Sequence, residues 1–314
     1  MTWPGEVYWI YAAILAGILV VAGMLLSLLT WVLAKDVRPI WATYRSWLVM
    51  IPLAAAAIWA GRVPTTALFV LLSVFGFKEF ARATGLYRDW WMTGAVYLSL
   101  VAVGVTAIVA NPNTGQPGWY GLFMALPVYA IALFILIPIL RNKTQGQLQA
   151  MALAILGFIY IGWMFLHLAF LAGSPKGLGY LLYLLFAVEM NDVAAFTFGR
   201  ALGQSGKHLL RGAISPRKTW EGAIGALAVS MALPWVMRFS FPHFETTQLI
   251  LTGLIVGIGG QLGDLSISVI KRDLGVKDMG ATIPGHGGVL DRIDSLIYTA
   301  PLFMHMIDFY YKHW

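Results

Sequence analysis

Long apolar stretches alternate with short polar connections along this chain, and the alternation predicts its secondary structure. A helix needs about twenty mainly apolar residues to cross a bilayer. By this measure we expect nine to ten transmembrane helices, of which the two flanking Arg62-Val63-Pro64 are the shortest. The ten stretches are 8–34, 46–60, 64–80, 93–110, 119–140, 149–172, 177–199, 220–237, 246–268 and 295–311. The pattern predicts an all-α, polytopic membrane helical bundle.

The composition agrees with a membrane protein. Hydrophobic residues make up 59% of the 314 residues and charged residues 11%, whereas soluble domains carry about 25% charged residues. The first apolar run, from about Tyr8 to Leu33, is too long for a signal-peptide core, so we expect a retained span. The absence of cysteine excludes disulfides, thiolate metal sites and thiol catalysis. The net charge of +7 favours lipid head groups or phosphates as partners, and nucleic acid is not expected.

The basic residues predict the orientation of the spans. If ten spans alternate in direction, 17 of the 21 Lys and Arg residues fall in connections on one side. The other side holds Arg62, Lys176, Arg238 and Lys312. The positive-inside rule then places the first set in the cytoplasm and both termini outside. The two most polar connections, 200–219 and 269–294, are therefore expected together on the cytoplasmic side.

Polar chemistry is concentrated in the second half of the chain. Residues 1–175 have the character of a transmembrane scaffold, and residues 176–314 form a region that carries the polar loops 200–219 and 269–294. There is no fixed-period repeat and no clear boundary, so we expect a single membrane domain over 1–314. The sequence contains no GxxxxGK[ST] loop, no GxSxG elbow and no HExxH pair.

The first chemistry-bearing segment runs from Glu189 to Gly222. Asp192 lies within an apolar helix near its cytoplasmic end, where an ionisable residue suggests function. A basic loop follows and leads into a helix that should start near Thr219, with Glu221 in its first turn. Such a loop before a helix N-terminus can hold phosphate, but it can also simply contact anionic lipid. The basic residues and histidine of this loop are Arg200, Lys207, His208, Arg211, Arg217 and Lys218.

The second segment, Gly257 to Ser268, ends one apolar span. Its glycines allow close helix packing. Asp264 should lie at the cytoplasmic end of the span, with Ser268 one turn later on the same face. From the residues alone, Asp264 could be a structural acid, part of an ion pathway or a catalytic group.

The third segment, Ser268 to Asp294, is the most polar of the three. It carries bases before a Gly-rich turn, and a short helix should then place Asp291 and Asp294 on one face. Mg²⁺ in proteins is often held by one or two carboxylates together with phosphate oxygens. Lys and Arg can neutralise the remaining phosphate charge. The spacing therefore favours a Mg²⁺-phosphate site, while His286 by itself is ambiguous.

These segments resemble the phosphatidate cytidylyltransferases, also called CDP-diacylglycerol synthases. The main match is Ser268-x-Ile270-Lys271-Arg272-(four residues)-Lys277-Asp278-x-Gly280-(two residues)-Ile283-Pro284-x-His286-Gly287-Gly288-Val289-x-Asp291-Arg292-Ile293-Asp294. Two further matches are Ser215-Pro216-x-Lys218-Thr219-Trp220-Glu221-Gly222 and Asn191-Asp192-x-x-Ala195-Phe196-x-x-Gly199-Arg200. Glu79 is similar to an acidic position in the family's front half. The resemblance covers about residues 185–296.

The resemblance implies an enzyme that joins CTP and phosphatidic acid to give CDP-diacylglycerol and pyrophosphate. It implies Mg²⁺, held by Asp264 and Asp291, and possible sharing of the site with a monovalent cation such as K⁺. The expected catalytic residues are Asp264, Asp291, Lys271, Arg272, His286, Arg292 and Asp294. The expected substrate- or phosphate-binding residues are Asp192, Ser215, Lys218, Glu221, Ser268, Lys277, Gly287 and Gly288.

The resemblance also implies a location and leaves alternatives open. We expect an integral protein of a bacterial inner membrane, in contact with membrane lipids, with its active site on the cytoplasmic side. A homodimer is possible. A CTP-dependent enzyme acting on another lipid, such as a polyprenol-type kinase or an ether-lipid cytidylyltransferase, is an alternative. An ion-coupled transporter using Asp192 and Asp264 is a second alternative.

Overall fold

The computed structural model describes residues 5–33, 37–174, 176–203, 208–283, 285 and 287–311. Helices dominate this part of the chain. They are α1 (Glu6–Ser27), α2 (Arg38–Trp59), α3 (Arg62–Thr84), α4 (Trp90–Ile108), α5 (Tyr120–Leu140), α6 (Gln147–Leu156), α7 (His167–Gly173), α8 (Gly177–Leu202), α9 (Trp220–Val236), α10 (Thr246–Asp273) and α11 (Leu290–Tyr311). A π-helical turn over Leu28–Val32 extends α1, and a second over Gly157–Met164 joins α6 to α7.

Each predicted span lies on a helix, and the all-α polytopic bundle is confirmed. Within the described residues, seven helical segments are long and apolar enough to cross a membrane. These are Glu6–Val32, Arg62–Thr84, Trp90–Ile108, Tyr120–Leu140, Gln147–Gly173, Gly177–Leu202 and Thr246–Asp273. The other three predicted spans correspond to α2, α9 and α11. The protein is an integral membrane protein.

Several helices extend beyond the apolar runs that predicted them. The helix expected from residue 46 begins at Arg38, the one expected to end at 268 continues to Asp273, and the one expected from 295 begins at Leu290. An apolar run marks where lipid can surround a helix, whereas the helix itself continues into polar surroundings. The extensions of α10 and α11 carry Lys271 and Asp291 and lie outside the predicted spans. The short helix predicted to carry Asp291 and Asp294 is the start of α11.

The predicted basic connection 200–219 contains a β-hairpin. Strands β1 (Leu209–Arg211) and β2 (Ser215–Thr219) pair antiparallel, with Leu209 opposite Thr219 and Arg211 opposite Ser215. The side chain of Thr219 accepts the amide of Gly222 at 3.2 Å and caps α9, which confirms the predicted helix start. The hairpin fixes Lys218 one residue before this cap.

Polar contacts at the helix ends show which connections share a face of the bundle. At one face, Arg272 Nε donates to the carbonyl of Ile214 at 3.1 Å, which joins the two connections 200–219 and 269–294. The hydroxyl of Thr43, near the start of α2, donates to the carbonyl of Gly285 at the same face (3.3 Å). The two polar connections therefore lie together, as predicted.

Glycines of α10 let three helices approach it closely. A Cβ at Gly253 would lie 2.8 Å from Cα of Met231 in α9. A Cβ at Gly260 would lie 3.2 Å from the side-chain nitrogen Nδ2 of Asn191 in α8. A Cβ at Gly263 would lie 2.4 Å from the carbonyl oxygen of Asp294 in α11. These positions confirm the packing role predicted for the glycines. They bring α8, α9 and α11 around the polar end of α10.

Candidate active site

The most firmly held acid of the site is Asp291, in the first turn of α11. Its Oδ1 accepts Nζ of Lys271 from α10 at 2.8 Å. Its Oδ2 accepts the backbone amides of Met279 (2.9 Å) and Gly288 (3.1 Å). The Asp291 side chain is only 5% exposed and that of Lys271 11%. Three donors from the protein itself thus orient this acid.

A second lysine–carboxylate pair involves Asp264, which, like Lys271, interacts electrostatically with Asp294. Nζ of Lys218, from β2, is 2.6 Å from Oδ2 of Asp264 in α10. Oδ1 of Asp264 accepts the hydroxyl of Ser268 at 3.1 Å, so these residues share a helix face as predicted. The exposed fractions of the side chains are 24% for Lys218 and 32% for Asp264. This pair is open to solvent and ligands.

Further carboxylates surround Asp264. Asp192 of α8 and Asp294 of α11 both interact electrostatically with Asp264 and with each other. Lys271 also acts on Asp294, and Arg292 acts on Asp192. Asp294 is buried, and its Oδ1 accepts the amide of Ser295 at 2.7 Å. A group of like charges in one place is costly unless cations balance it. The cluster of Asp192, Asp264 and Asp294 is therefore suited to a cation.

An acid from the first half of the chain accepts hydrogen bonds from both sides of the Gly-rich turn. Glu79, near the end of α3, is buried, and its Oε1 accepts the hydroxyl of Thr282 (2.6 Å) and the amide of Val289 (3.0 Å). Its Oε2 accepts the amide of Leu290 at 2.9 Å. Leu290 begins α11 and Val289 directly precedes it, and the first amides of a helix have no partner within the helix. A carboxylate is favourable at this positive end of the helix dipole.

The Gly-rich turn itself depends on two glycines with positive φ. Gly285 has φ +76° and Gly287 has φ +81°, conformations that glycine adopts without strain. The amide of Ile283 donates to the carbonyl of Gly287 at 2.9 Å and closes the turn. The amide of Gly288 is already used by Asp291. Gly287 and Gly288 therefore shape the turn, and their predicted contact with phosphate stays a prediction.

The remaining predicted site residues lie around this centre. Ser215 opens β2, and Arg272 is exposed and bonded to the hairpin turn through Ile214. Lys277 is exposed on the turn after α10, and Arg292 is exposed in the first turn of α11. Glu221 pairs with His208 instead of facing the two lysines named above. His286 and Lys207 lie outside the described residues.

Two acids of the site were not singled out as site residues from the sequence. Glu189 precedes Asp192 by one turn of α8 and interacts electrostatically with both Asp192 and Arg292. Its position three residues before Asp192, inside an apolar helix, was the available signal. For Glu79 the only signal was its similarity to an acidic family position, because its partners lie more than 200 residues away in the chain.

The arrangement suits chemistry on a polyanion. Carboxylate oxygens of Asp264 and Asp291 can bind a hard divalent cation, and Lys218 and Lys271 each bring an ammonium group to one of these acids. Among the described residues, no three His, Asp or Glu side chains form a ready-made cage for a metal. Such a cage is not required for Mg²⁺, which commonly takes one or two carboxylates plus substrate oxygens.

Comparison with known proteins agrees with this chemistry. The family model described as the cytidylyltransferase family matches residues 41–310. The phosphatidate cytidylyltransferase of Staphylococcus haemolyticus (strain JCSC1435) is 39% identical over 203 residues, which cover 64% of this chain and 75% of that protein. The phosphatidate cytidylyltransferase of Staphylococcus aureus (strain COL) is 36% identical over the same shares. The uncharacterized protein YnbB of Escherichia coli (strain K12) is 30% identical over 271 residues, 84% of this chain and 86% of that protein. The chain thus belongs to the cytidylyltransferase family.

Proposed function

We propose that this protein is a Mg²⁺-dependent phosphatidate cytidylyltransferase, which converts CTP and phosphatidic acid into CDP-diacylglycerol and pyrophosphate. The observation that carries the proposal is the meeting of two lysine–carboxylate pairs, Lys218–Asp264 and Lys271–Asp291, at one face of a membrane bundle. Family membership supports CTP as the nucleotide. The names of the Staphylococcus relatives support phosphatidate as the acceptor.

The donor set fits Mg²⁺ at Asp264 and Asp291. Both residues offer carboxylate oxygens, and each already accepts a cationic lysine, so the protein accommodates positive charge at both. When bound, Mg²⁺ neutralises charge on the phosphate oxygens and orients them for displacement. Asp192 and Asp294 add negative charge beside Asp264, which supports the inclusion of a second, monovalent cation such as K⁺ in the proposal.

The reaction needs alignment more than proton transfer. An oxygen of the lipid phosphate attacks the α-phosphorus of CTP, a new P–O bond forms, and the bond to the bridging oxygen breaks to release pyrophosphate. A phosphate monoester has a second pKa of about 6 and is largely ionised near neutral pH. The attacking group therefore needs little help from a base. The main tasks are to hold two polyanions together and to stabilise the leaving group.

The residues of the site divide these tasks. Lys218 and Lys271 donate to phosphate oxygens and reduce the repulsion between the two substrates. Arg272 and Arg292, both exposed at the same face, add positive charge around the leaving pyrophosphate. Asp294 interacts electrostatically with Lys271 and helps to orient it. The acyl chains stay in lipid while the phosphate head reaches the face of the bundle, which we place on the cytoplasmic side of a bacterial inner membrane.

The test is product identification with purified protein. We expect CTP labelled at the α-phosphorus to transfer its label to a lipid product when Mg²⁺ and phosphatidic acid are present, with one pyrophosphate released per product. CTP labelled at the γ-phosphorus should leave its label in pyrophosphate. A panel of other lipid phosphates and polyprenols then defines the acceptor.

Three outcomes would contradict the proposal. Appearance of the γ-label in a lipid would identify a CTP-dependent kinase. Transfer of the α-label only to a lipid other than phosphatidic acid would keep the cytidylyl chemistry and replace the acceptor. Addition of EDTA should abolish transfer and excess Mg²⁺ should restore it. Transfer that persists in EDTA would remove Mg²⁺ from the mechanism.

A further inference from the structure

Glu79 lies in α3, far along the chain from the residues that it binds. Its carboxylate accepts three hydrogen bonds, from the Thr282 hydroxyl and from the amides of Val289 and Leu290, all between 2.6 and 3.0 Å. The residue is only 6% exposed. The two lysine–carboxylate pairs of the active site do not include it. A buried carboxylate is costly unless its partners are well placed, so these three donors must be held in register with α3.

Two glycines make room for this carboxylate. A Cβ at Gly280 would lie 2.4 Å from Oε1 of Glu79, and its three nearest atoms would all belong to Glu79. A Cβ at Gly288 would lie 2.5 Å from Oε2 of Glu79. Neither glycine is among the described residues with positive φ, so the Glu79 carboxylate, rather than backbone conformation, excludes a side chain at Gly280. The described residues 280–283 and 287–290 are thus packed around Glu79.

The same segment holds the acid of the proposed metal site. Asp291 follows Leu290 directly, and its Oδ2 accepts the amides of Met279 and Gly288 from the two sides of the turn. Glu79 therefore fixes the backbone that orients Asp291, without contacting Lys271 or Asp291 through any bond described for it. We propose that Glu79 is a positioning residue that sets the orientation of Asp291 for cation binding and cytidylyl transfer, an inference that rests on the proposed function.

Substitution of Glu79 by glutamine tests this role with almost no change in shape. An amide has one acceptor oxygen and one NH₂ donor group. In either orientation, the NH₂ group would face the amide of Val289 or that of Leu290, and a buried donor would lose its partner. Loss of a partner that orients a metal ligand costs about 10- to 100-fold in metal affinity or activity. We expect Glu79→Gln to raise the half-saturating Mg²⁺ concentration or lower kcat by that factor, with KM for the lipid phosphate little changed.

Glu245→Gln is the matched control. Glu245 also caps a helix N-terminus, that of α10, where its side chain and that of Gln248 form a capping box. The chemical change is the same, and the residue lies outside the proposed site. We expect the Mg²⁺ dependence of Glu245→Gln to equal that of the unmodified protein. An equal shift in both variants would overturn the inference, because any loss of a helix cap would then have the same effect.

Gly280 provides a second, independent test. In the otherwise unmodified chain, Gly280→Ala should displace the Glu79 carboxylate and produce a defect similar to that of Glu79→Gln. In a Glu79→Ala background the obstacle is gone, so Gly280→Ala should add less than about twofold, a coupling that a double-mutant cycle measures. Additive effects of the two substitutions would contradict a shared action through the Glu79 carboxylate.

Hydrogen exchange supplies a measurement that does not depend on activity. Amides of residues 279–291 should exchange faster in Glu79→Gln than in the unmodified protein, while exchange in α4, α5 and α9 stays the same. Faster exchange throughout the chain would assign Glu79 a general stabilising role and overturn the positioning role. If the unmodified protein makes no CDP-lipid, the proposed function fails, whereas unchanged exchange and Mg²⁺ dependence in Glu79→Gln defeat only the inference about Glu79.

Discussion

The two lysine–carboxylate pairs of the site differ in how firmly they are held. Asp291 is 5% exposed and accepts three donors, two of them backbone amides. Asp264 is 32% exposed and accepts one lysine and one hydroxyl, both on side chains. Coulomb attraction is much stronger away from water, so the Lys271–Asp291 pair interacts more strongly than the Lys218–Asp264 pair.

This difference indicates that Asp291 and Asp264 have different roles. Asp291 is bonded to backbone amides of the turn, which set the direction of its side chain. Asp264 is held by side chains that can rotate, and it is flanked by Asp192 and Asp294. We infer that a cation would find one fixed ligand and one adjustable ligand. The two acids should therefore respond alike in activity and differently in stability.

The largest combined effect is expected for Asp291→Asn. The substitution leaves the ammonium of Lys271 buried without its bonded partner, and breaking one side of a buried pair costs about 3–5 kcal/mol. It also points an NH₂ group at donors that need an acceptor. We expect loss of CTP-dependent conversion together with a clearly lower melting temperature in detergent.

Two further variants separate the causes. Asp308→Asn makes the same change on α11, seventeen residues further along, and should leave turnover intact. The double variant Asp291→Asn with Lys271→Met removes both charges and should recover stability but not activity. Near-normal turnover of Asp291→Asn would remove this residue from the metal site.

Asp264→Asn should give the same loss of turnover with little change in stability. An exposed ion pair contributes about 0.2–1 kcal/mol. Removal of the Asp264 charge also relieves its repulsion with Asp192 and Asp294. We expect an unchanged or slightly raised melting temperature, measured beside turnover on the same preparation. If the melting temperature fell as far as in Asp291→Asn, the two pairs would not differ in how much they stabilise the fold.

The sequence predicted these acids but not their different environments. Apolar runs located every helix of the bundle, because burial in lipid requires them. Polar helix ends interrupt those runs, and for that reason the predicted spans do not include the starts of α2 and α11 or the end of α10. The motif spacing identified Asp264, Asp291, Lys218 and Lys271 as candidate site residues. It could not show which lysine binds which acid, because the pairing depends on the hairpin and on the close approach of α10 and α11.

Glu79 illustrates a second limit of the sequence. Its partner Thr282 is 203 positions away, and neither the FGFKEF segment nor the scaffold half of the chain suggested a contact with the turn. Contacts of this kind depend on how the helices are arranged in the bundle, which local patterns do not specify. The glycine at position 280 was visible in the motif, but the reason for it was not.

The lysines allow a third test of the comparison. Lys271→Ala removes the bonded partner of Asp291 and a proposed donor to phosphate, and loss of such a preorganised donor costs about 100-fold. Lys218→Ala removes a more exposed charge and should cost about tenfold, equivalent to one hydrogen bond between charged groups. The measurement is kcat/KM for CTP. Equal losses would mean that burial does not distinguish the two lysines, and an unchanged value for Lys271→Ala would remove it from phosphate binding.

Ser268→Ala tests how firmly Asp264 is held. The hydroxyl donates to Oδ1 of Asp264 at 3.1 Å, and one such bond contributes about 1 kcal/mol. We expect kcat/KM to fall about fivefold, with Ser268→Thr closer to the unmodified protein because it retains the hydroxyl. A loss as large as that of Asp264→Asn would mean that Asp264 is as rigidly held as Asp291.

The smallest effect on turnover is expected at a third ion pair, Asp89–Arg141, which joins the start of α4 to the end of α5. Arg141 Nη1 lies 2.7 Å from Oδ2 of Asp89. Partial burial disfavours the charged form of Asp89, but hydrogen bonds from Arg141 and from the amide of Met92 outweigh it and hold the pKa of this carboxyl below its usual value. The pair therefore stabilises the fold above pH of about 3.9, the ordinary aspartate pKa, and this contribution is lost as the pH falls through the lowered pKa.

Asp89→Asn should accordingly leave kcat/KM unchanged and cost within about 1 kcal/mol of stability at neutral pH. The difference in melting temperature between this variant and the unmodified protein should shrink as the solution is acidified below pH of about 4. A loss of turnover in Asp89→Asn would show that any ion pair at this face can disturb the reaction. A loss of turnover in Asp291→Asn or Asp264→Asn would then no longer identify these acids as catalytic.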